Sequence, residues 1–250
     1  MKTVVIIPAR YASTRFPGKP LVDLAGKPMI IWVAELSAKA VGQENVYIAT
    51  DDQRIAEVVA QHNFQYLMTS SQALTGTDRL AEAAEQLNAD IFINVQGDEP
   101  LVDPADILKI RDAKLQHPGQ IINGFCWLTP DEDPHSVNIP KVITNEQDEL
   151  VYMSRQALPG YKEDKNAPKG FKKQVCIYAF NKAELLAFKT FGRKSQLEAC
   201  EDIEILRFIE LNKKIRMVET KGGSLAVDAP EDIDAVTAAL KNKETNQPNE

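Results

Sequence analysis

Cysteine, histidine and long apolar runs are all scarce in this sequence. Its 250 residues hold three cysteines, Cys126, Cys176 and Cys200. They are odd in number and far apart, so ordinary part-buried thiols are expected rather than a disulfide framework or a zinc site. The three histidines, His62, His117 and His135, fall in helical or loop stretches and receive no catalytic role. No apolar run reaches the length of a membrane span. Met1-Lys2-Thr3 leads straight into a strand pattern, so no signal peptide is expected and a cytoplasmic enzyme or binding protein is. Neither G-x-x-x-x-G-K-[ST] nor G-x-G-x-x-G occurs, which disfavours a Walker-type phosphate loop and a nicotinamide site. A basic excess is lacking too. The formal net charge of −7 argues against a general nucleic-acid or membrane-surface binder.

What is present is a hydrophobic fraction of 44%, enough for a core, arranged as alternating short strands and amphipathic helices. Thr3–Ile7 reads as a strand buried on both faces, and Val46–Ala49, Phe64–Met68 and Ile91–Val95 read as further strands. Between them Met29, Ile30, Val33, Leu36 and Ala40 share a helical face, as do Ile55, Val58 and Val59, and then Leu80, Ala83, Ala84 and Leu87. Thr77-Asp78 is read as the cap of that third helix, and Asp103-Pro104 as the start of a fourth. The alternation predicts an α/β fold with a doubly wound, mostly parallel sheet. Near residue 138 the pattern changes. Residues 140–154 and 172–180 read as strands of an inserted antiparallel ribbon or small subdomain, spanning about 138–190. A helix over Leu197–Leu211 and a last helix with Ile233, Val236 and Leu240 follow. The expectation is one domain over 1–240 and a polar, frayed tail over 241–250.

Ligands of parallel sheets bind at the carboxyl ends of strands, and three such ends carry unusual residues. After the first strand, Arg10, Arg15 and Lys19 crowd into a loop stiffened by Pro8, Pro17 and Pro20. A Pro17-Gly18 turn would fold Lys19 back towards the arginines, giving convergent cations that suit a triphosphate. A solvated charged loop is the alternative. After Ile91–Val95 comes Gln96-Gly97-Asp98-Glu99-Pro100. Asp98 fits either a turn cap or a Mg²⁺ ligand, since Mg²⁺ takes one or two carboxylates plus phosphate oxygens. Asp228, in the third strand-end segment, fits either a helix cap or the second carboxylate. Thr75-Gly76-Thr77-Asp78-Arg79 opens a helix whose N–H groups could grip an anion or base edge, or could simply be capped. Two carboxylates opposed to a cation-rich loop favour a nucleotide–Mg²⁺ site.

These stretches resemble one family in combination. Ala9-Arg10-Tyr11-Ala12-Ser13-Thr14-Arg15-Phe16-Pro17-Gly18-Lys19-Pro20-Leu21 and Asn94-Val95-Gln96-Gly97-Asp98-Glu99-Pro100 look like those of the 3-deoxy-manno-octulosonate (Kdo) cytidylyltransferases. So do Thr75–Leu80, Met153-Ser154-Arg155, Leu197-Glu198 with Glu201 and Glu204, and Val227-Asp228. The resemblance implies that CMP passes from CTP to the anomeric hydroxyl of an acidic octulosonic sugar, releasing pyrophosphate, to activate the sugar for lipopolysaccharide synthesis. It also implies a homodimer formed through the inserted region. Carried over by position, Asp98 and Asp228 would hold Mg²⁺. Arg10, Arg15 and Lys19 would act with Asp98 in catalysis. Ala9, Arg10, Ser13, Arg15, Lys19, Thr77 and Arg79 would hold the nucleotide. Gln96, Arg155, Gln174, Tyr178, Glu198 and Glu201 would line the sugar pocket, with Arg155 on the sugar carboxylate. One departure stands out: Gln174 occupies a position where the family commonly has His. A modified acid such as 8-amino-8-deoxy-Kdo is one reading of that change, and a tolerated swap the other. A cytidylyltransferase for a sialic acid, a nucleotide-sugar glycosyltransferase and a nucleotide-sensing protein without turnover are the competing functions.

Overall fold

The chain is described by a computed structural model covering residues 1–13, 16–223 and 225–245. In chain order the elements are β1 (Thr3–Ala9), β2 (Asp23–Leu24), β3 (Lys27–Pro28), α1 (Met29–Val41), β4 (Val46–Thr50), α2 (Gln53–Gln61), β5 (Gln65–Met68), α3 (Gly76–Glu85), β6 (Ile91–Val95), α4 (Pro104–Gln116), β7 (Ile121–Trp127), β8 (Lys141–Thr144), β9 (Leu150–Ser154), β10 (Lys172–Phe180), α5 (Lys182–Thr190), α6 (Gln196–Glu201), α7 (Leu206–Glu210), β11 (Ile215–Glu219) and α8 (Ile233–Thr245). The main sheet runs β11-β7-β10-β6-β1-β4-β5. Its pairs are parallel except those of β10, which lies antiparallel to both β6 and β7. The expected α/β class with a mostly parallel sheet is therefore found.

Alternation along β1 explains why helices cover both faces. Val4 and Ile6 join Phe92, Leu80, Phe180 and Phe208 on one side, while Val5 and Ile7 join Ile30, Ile48, Ile93 and Ile107 on the other. Each fully buried side chain of this kind contributes about 1.5–3 kcal/mol. A third cluster seats α8 against the start of α1: Val236 and Leu240 meet Leu24, Met29, Trp32 and Val227. That packing places the Val227–Asp228 segment beside the sheet's carboxyl end.

The structure differs from expectation in several places. The stretch 140–154 is a hairpin of β8 and β9 with a turn between them, attached to the sheet through β10. The helix expected over Leu197–Leu211 is two short ones, because Asp202 adopts a left-handed φ of 51°. The N-cap of α3 is Thr75, whose hydroxyl accepts from Asp78 N–H, rather than Thr77. The last helix continues past residue 240 to Thr245. Four strands were not anticipated: the two-residue β2 and β3, and β7 and β11. β7 contains Asn123-Gly124, which reads as a turn, yet both are buried in mid-sheet. A Cβ at Gly124 would lie 3.2 Å from Thr220 Cγ2 and 3.3 Å from Val175 Cβ, beside the bulge of β10 between Val175 and Tyr178. The glycine is there because neighbouring strands crowd it.

Candidate active site

A cavity of about 300 Å³ opens at the carboxyl ends of β1 and β6, where a parallel sheet places its ligands. The two strand-end loops touch closely: a Cβ on Gly97 would come within 2.9 Å of Pro8 O. Glycine at this position lets the Gln96–Asp98 turn lie against β1. The opening loop is closed by Gly18 N–H donating to Tyr11 O at 2.9 Å, and Ser13 Oγ accepts from Phe16 N–H. Ala9, Arg10, Ser13 and Lys19 line the cavity from this side. Arg15 lies outside the described residues.

Lys19 does more than face the acidic residues across a gap. Its Nζ donates to Asp98 Oδ2 at 2.8 Å and to Val227 O at 2.9 Å, and stands 3.9 Å from Asp228 Oδ1. The late segment is tied in by main chain as well, with Val227 N–H donating to Asp98 O at 3.1 Å. Asp228 owes its placement to Asp232, whose Oδ2 accepts from the N–H groups of Asp228 and Ala229. Two carboxylates and a carbonyl thus converge on one cation. Such hard oxygen donors suit Mg²⁺, which binds through one or two carboxylates and completes its shell with phosphate oxygens and water. Among the described residues no three or more His, Cys, Asp or Glu side chains converge on one point, and a site completed by nucleotide oxygens needs no such cage. The lysine ammonium stands in for the positive charge that Asp98 and Asp228 are arranged to face.

The wall opposite the loop comes from α3, α6 and the Asp202–Glu204 segment that follows α6. Gly76 and Arg79 line it. Arg79 is nearly buried and is held by Asp51 at 3.2 Å and Thr69 Oγ1 at 2.5 Å. The α3 N-terminus does not present empty N–H groups to a ligand. Glu204 accepts from Gly76 N–H at 3.0 Å, Thr77 N–H at 2.8 Å and the Thr77 hydroxyl at 2.6 Å. A carboxylate there is favoured by the helix dipole. It fills the place that the sequence offered to an anion or a base, and Thr77 itself does not line the cavity.

Glu198 borders the cavity and leads to one buried cation, Arg207. The Arg207 guanidinium bonds Glu198 through Nε and Nη2 at 2.7 and 2.6 Å, and Asp78 through Nη1 and Nη2 at 2.8 and 3.1 Å. It also stacks on Phe188 at 3.6 Å. Burial works against its charge, but the bonds to Glu198 and Asp78 prevail and hold its pKa above the usual value. This brace joins the first turns of α3 and α6. Arg207 was not singled out from the sequence, and Glu204 only as part of the family resemblance, with no site role. Glu204 stands out only as a third acid in the Glu198, Glu201, Glu204 spacing, and Arg207 as the one cation of the short helix Leu206–Glu210.

The remaining residues expected around a sugar are placed differently. Gln96 and Glu198 line the cavity, whereas Arg155, Gln174, Tyr178 and Glu201 do not. The Arg155 fork donates to backbone oxygens: Nε to Glu201 at 2.5 Å, Nη1 to Val137 at 2.8 Å and Nη2 to Asp202 at 3.1 Å. Glu201 accepts from Ser154 Oγ, Arg155 N–H and Tyr152 OH. Burial pushes the Glu201 carboxyl up, but these bonds outweigh it and leave it below the usual carboxylate range. Gln174 Nε2 donates to Asn123 Oδ1 and Tyr178 OH, both at 3.1 Å. Burial drives the Tyr178 hydroxyl well above its ordinary pKa, so it stays protonated. None of the three histidines lines the cavity, and the three cysteines are free thiols. No helix among the described residues is long and apolar enough to cross a membrane.

Comparison with known proteins agrees with this geometry. The family profile described as Cytidylyltransferase matches residues 4–215. The 3-deoxy-manno-octulosonate cytidylyltransferase of Geobacter metallireducens is 41% identical, over 96% of this chain and 98% of that protein. The enzyme of the same name from Christiangramia forsetii is 37% identical, over 96% of this chain and 97% of its own length. Among solved structures, a CMP:2-keto-3-deoxy-manno-octonic acid synthetase complexed with CTP superposes with a TM-score of 0.90 at 33% identity, covering 97% of this chain and all of that one. A site of this build in a chain so closely matched along its length makes the protein a nucleotidyltransferase of the cytidylyltransferase family, related to its 3-deoxy-manno-octulosonate enzymes.

Proposed function

We propose that the protein transfers CMP from CTP to the anomeric hydroxyl of 3-deoxy-manno-octulosonic acid and releases pyrophosphate, activating the sugar for lipopolysaccharide synthesis in the cytoplasm. The observation that carries this is the convergence of Lys19, Asp98 and Asp228 beside the Arg10 loop in one cavity. The substrates in the names of the relatives support the choice of nucleotide and sugar. No covalent enzyme intermediate is needed, so the chain's work is positioning and charge compensation. Arg10, Arg15 and Lys19 would offset charge on the departing pyrophosphate. Ala9, Ser13 and Arg79 would hold the nucleotide, with Thr77 supporting the wall through its bonds to Glu204. Asp98 and Asp228 would hold Mg²⁺, which when bound draws charge from the α-phosphate and lowers the pKa of the attacking hydroxyl. Gln96, Glu198 and Glu204 would border the sugar, with Arg155, Gln174, Tyr178 and Glu201 supporting it from behind. The β8–β9 hairpin is the segment proposed to form a homodimer.

A second reading, for the 8-amino-8-deoxy sugar, draws on one feature. The wall that would face the sugar carries Glu198, Asp202 and Glu204, and Gln174 cannot become positively charged as a histidine can. An ammonium on the sugar would meet these carboxylates, beside Lys194, which pairs with Asp202 at 2.9 Å.

The test is a pyrophosphate-release assay with CTP, Mg²⁺ and, in parallel, Kdo, its 8-amino analogue and a sialic acid. Release with an octulosonic acid is expected, and Asp98→Asn should abolish it while leaving the melting curve cooperative. CTP binding without pyrophosphate from any sugar would replace this reading with a nucleotide sensor. Near-normal turnover of the Asp98→Asn variant would remove the metal assignment.

A further inference from the structure

The oxygens that suit a divalent ion are already occupied. Lys19 Nζ is within hydrogen-bond distance of Asp98 Oδ2 and Val227 O and within ion-pair distance of Asp228 Oδ1. A divalent ion between the same carboxylates would sit beside that ammonium, and two cations a few ångströms apart repel strongly where water is partly excluded. The Lys19 side chain is only 20% exposed and that of Asp98 27%, so screening there is incomplete.

We infer that Lys19 is a latch. In the nucleotide-free protein it is the resident counter-cation of Asp98 and Asp228, and a divalent ion enters fully only after the nucleotide's phosphates draw the ammonium away. The inference rests on the metal reading under Proposed function and adds an order of events to it.

The local build fits such a movement. Lys19 opens a short turn of helix, Lys19–Leu21, whose backbone is pinned by Leu21 N–H to Gly18 O and Val22 N–H to Lys19 O. Motion is thereby left to the flexible four-carbon stem. Arg10 and Ser13 line the same cavity on the loop side, so a triphosphate seated on that loop lies within the same enclosure as the ammonium. The Asp228 side chain is 68% exposed while its backbone is fixed by Asp232, so the carboxylate can turn from lysine to metal without rearranging the segment. Linkage is reciprocal: if the nucleotide raises metal affinity by releasing Lys19, the metal raises nucleotide affinity by the same factor.

The test uses the full chain with Mn²⁺ as the probe, followed by the electron paramagnetic resonance of the free ion, and CTP binding measured separately by calorimetry in EDTA. Lys19→Met should bind Mn²⁺ about five- to tenfold more tightly than the unaltered protein when no nucleotide is present. The same variant should bind metal-free CTP more weakly. Opposite signs in one variant are the signature, because damage to the fold would weaken both. Lys19→Arg keeps the charge and should leave Mn²⁺ affinity near that of the unaltered protein. If Lys19→Met shows no gain while Asp98→Asn abolishes Mn²⁺ binding, the latch is refuted and the metal reading stands. If Asp98→Asn binds Mn²⁺ as the unaltered protein does, the metal reading itself fails. An equal gain in Lys19→Arg, which keeps the charge, would overturn charge as what holds the ion out.

Discussion

Replacing Arg207 by methionine tests the brace behind the cavity most directly. The guanidinium is fully buried, the side chains of its partners Glu198 and Asp78 are only 1% and 10% exposed, and each carboxylate is bonded through both oxygens. Methionine fills similar volume but leaves two carboxylates sharing a dry space with no cation. Breaking a buried pair in this way costs about 3–5 kcal/mol, most of it the penalty of uncompensated charge. Loss of the stack on Phe188 falls within that figure. For a chain of this size each kcal/mol lowers the melting temperature by about 2–4 °C, so a fall of about 6–20 °C is expected. Urea unfolding followed by circular dichroism gives the free energy directly. The double variant Arg207→Met with Glu198→Gln should lose less than the two single losses added together, because it removes one of the stranded charges. A loss under about 1 kcal/mol for Arg207→Met, or strict additivity in the double variant, would refute the brace.

Glu201 gives a pH-dependent prediction. Its carboxyl is held below the usual range in the folded protein, so its stabilisation is complete above the unfolded value of about 4.3 and disappears as pH falls through the lower folded value. Glu201→Gln should therefore be less stable than the unaltered protein at pH 7, with a flatter stability profile between about pH 5 and pH 3; superimposable slopes in a urea titration series would exclude the bonds from Ser154, Arg155 and Tyr152 as the cause. Gly124→Ala should cost about 1–3 kcal/mol through crowding against Thr220 and Val175, read as a lower urea midpoint with unchanged m-value, and an unchanged midpoint would show that the strands part easily.

Much of the fold was legible because parallel strands buried on both faces write themselves as short apolar runs. Ile91–Val95 is such a run and coincides with β6 to the residue; residues 172–180 coincide with β10, which is antiparallel and only partly apolar. β7 was hidden by Asn123-Gly124, a pair that usually marks a turn and is here explained by a neighbour's bulge over fifty residues away in sequence. The break between α6 and α7 was hidden because Asp202 is a non-glycine residue in a left-handed conformation, which composition does not announce. For the site, residues adjoining strand ends were readable: Lys19, Asp98 and Asp228 meet in space although 208 residues separate Lys19 from the Val227 carbonyl it bonds. Residues that reach the cavity through buried charge were not. Nothing local distinguishes Glu204, which caps α3, from Glu201, which clasps the end of β9, because both are acids on successive turns. Which one meets a helix N-terminus is decided by tertiary packing.

The main-chain bond from Val227 to Asp98 has a bearing on how the protein comes into being. Every strand of the sheet has been synthesised by Glu219, yet the second carboxylate and the helix that seats it lie beyond that point. Completing the sheet therefore leaves the Asp98 loop without its partner segment, which is brought in as α8 settles onto Leu24, Met29 and Trp32.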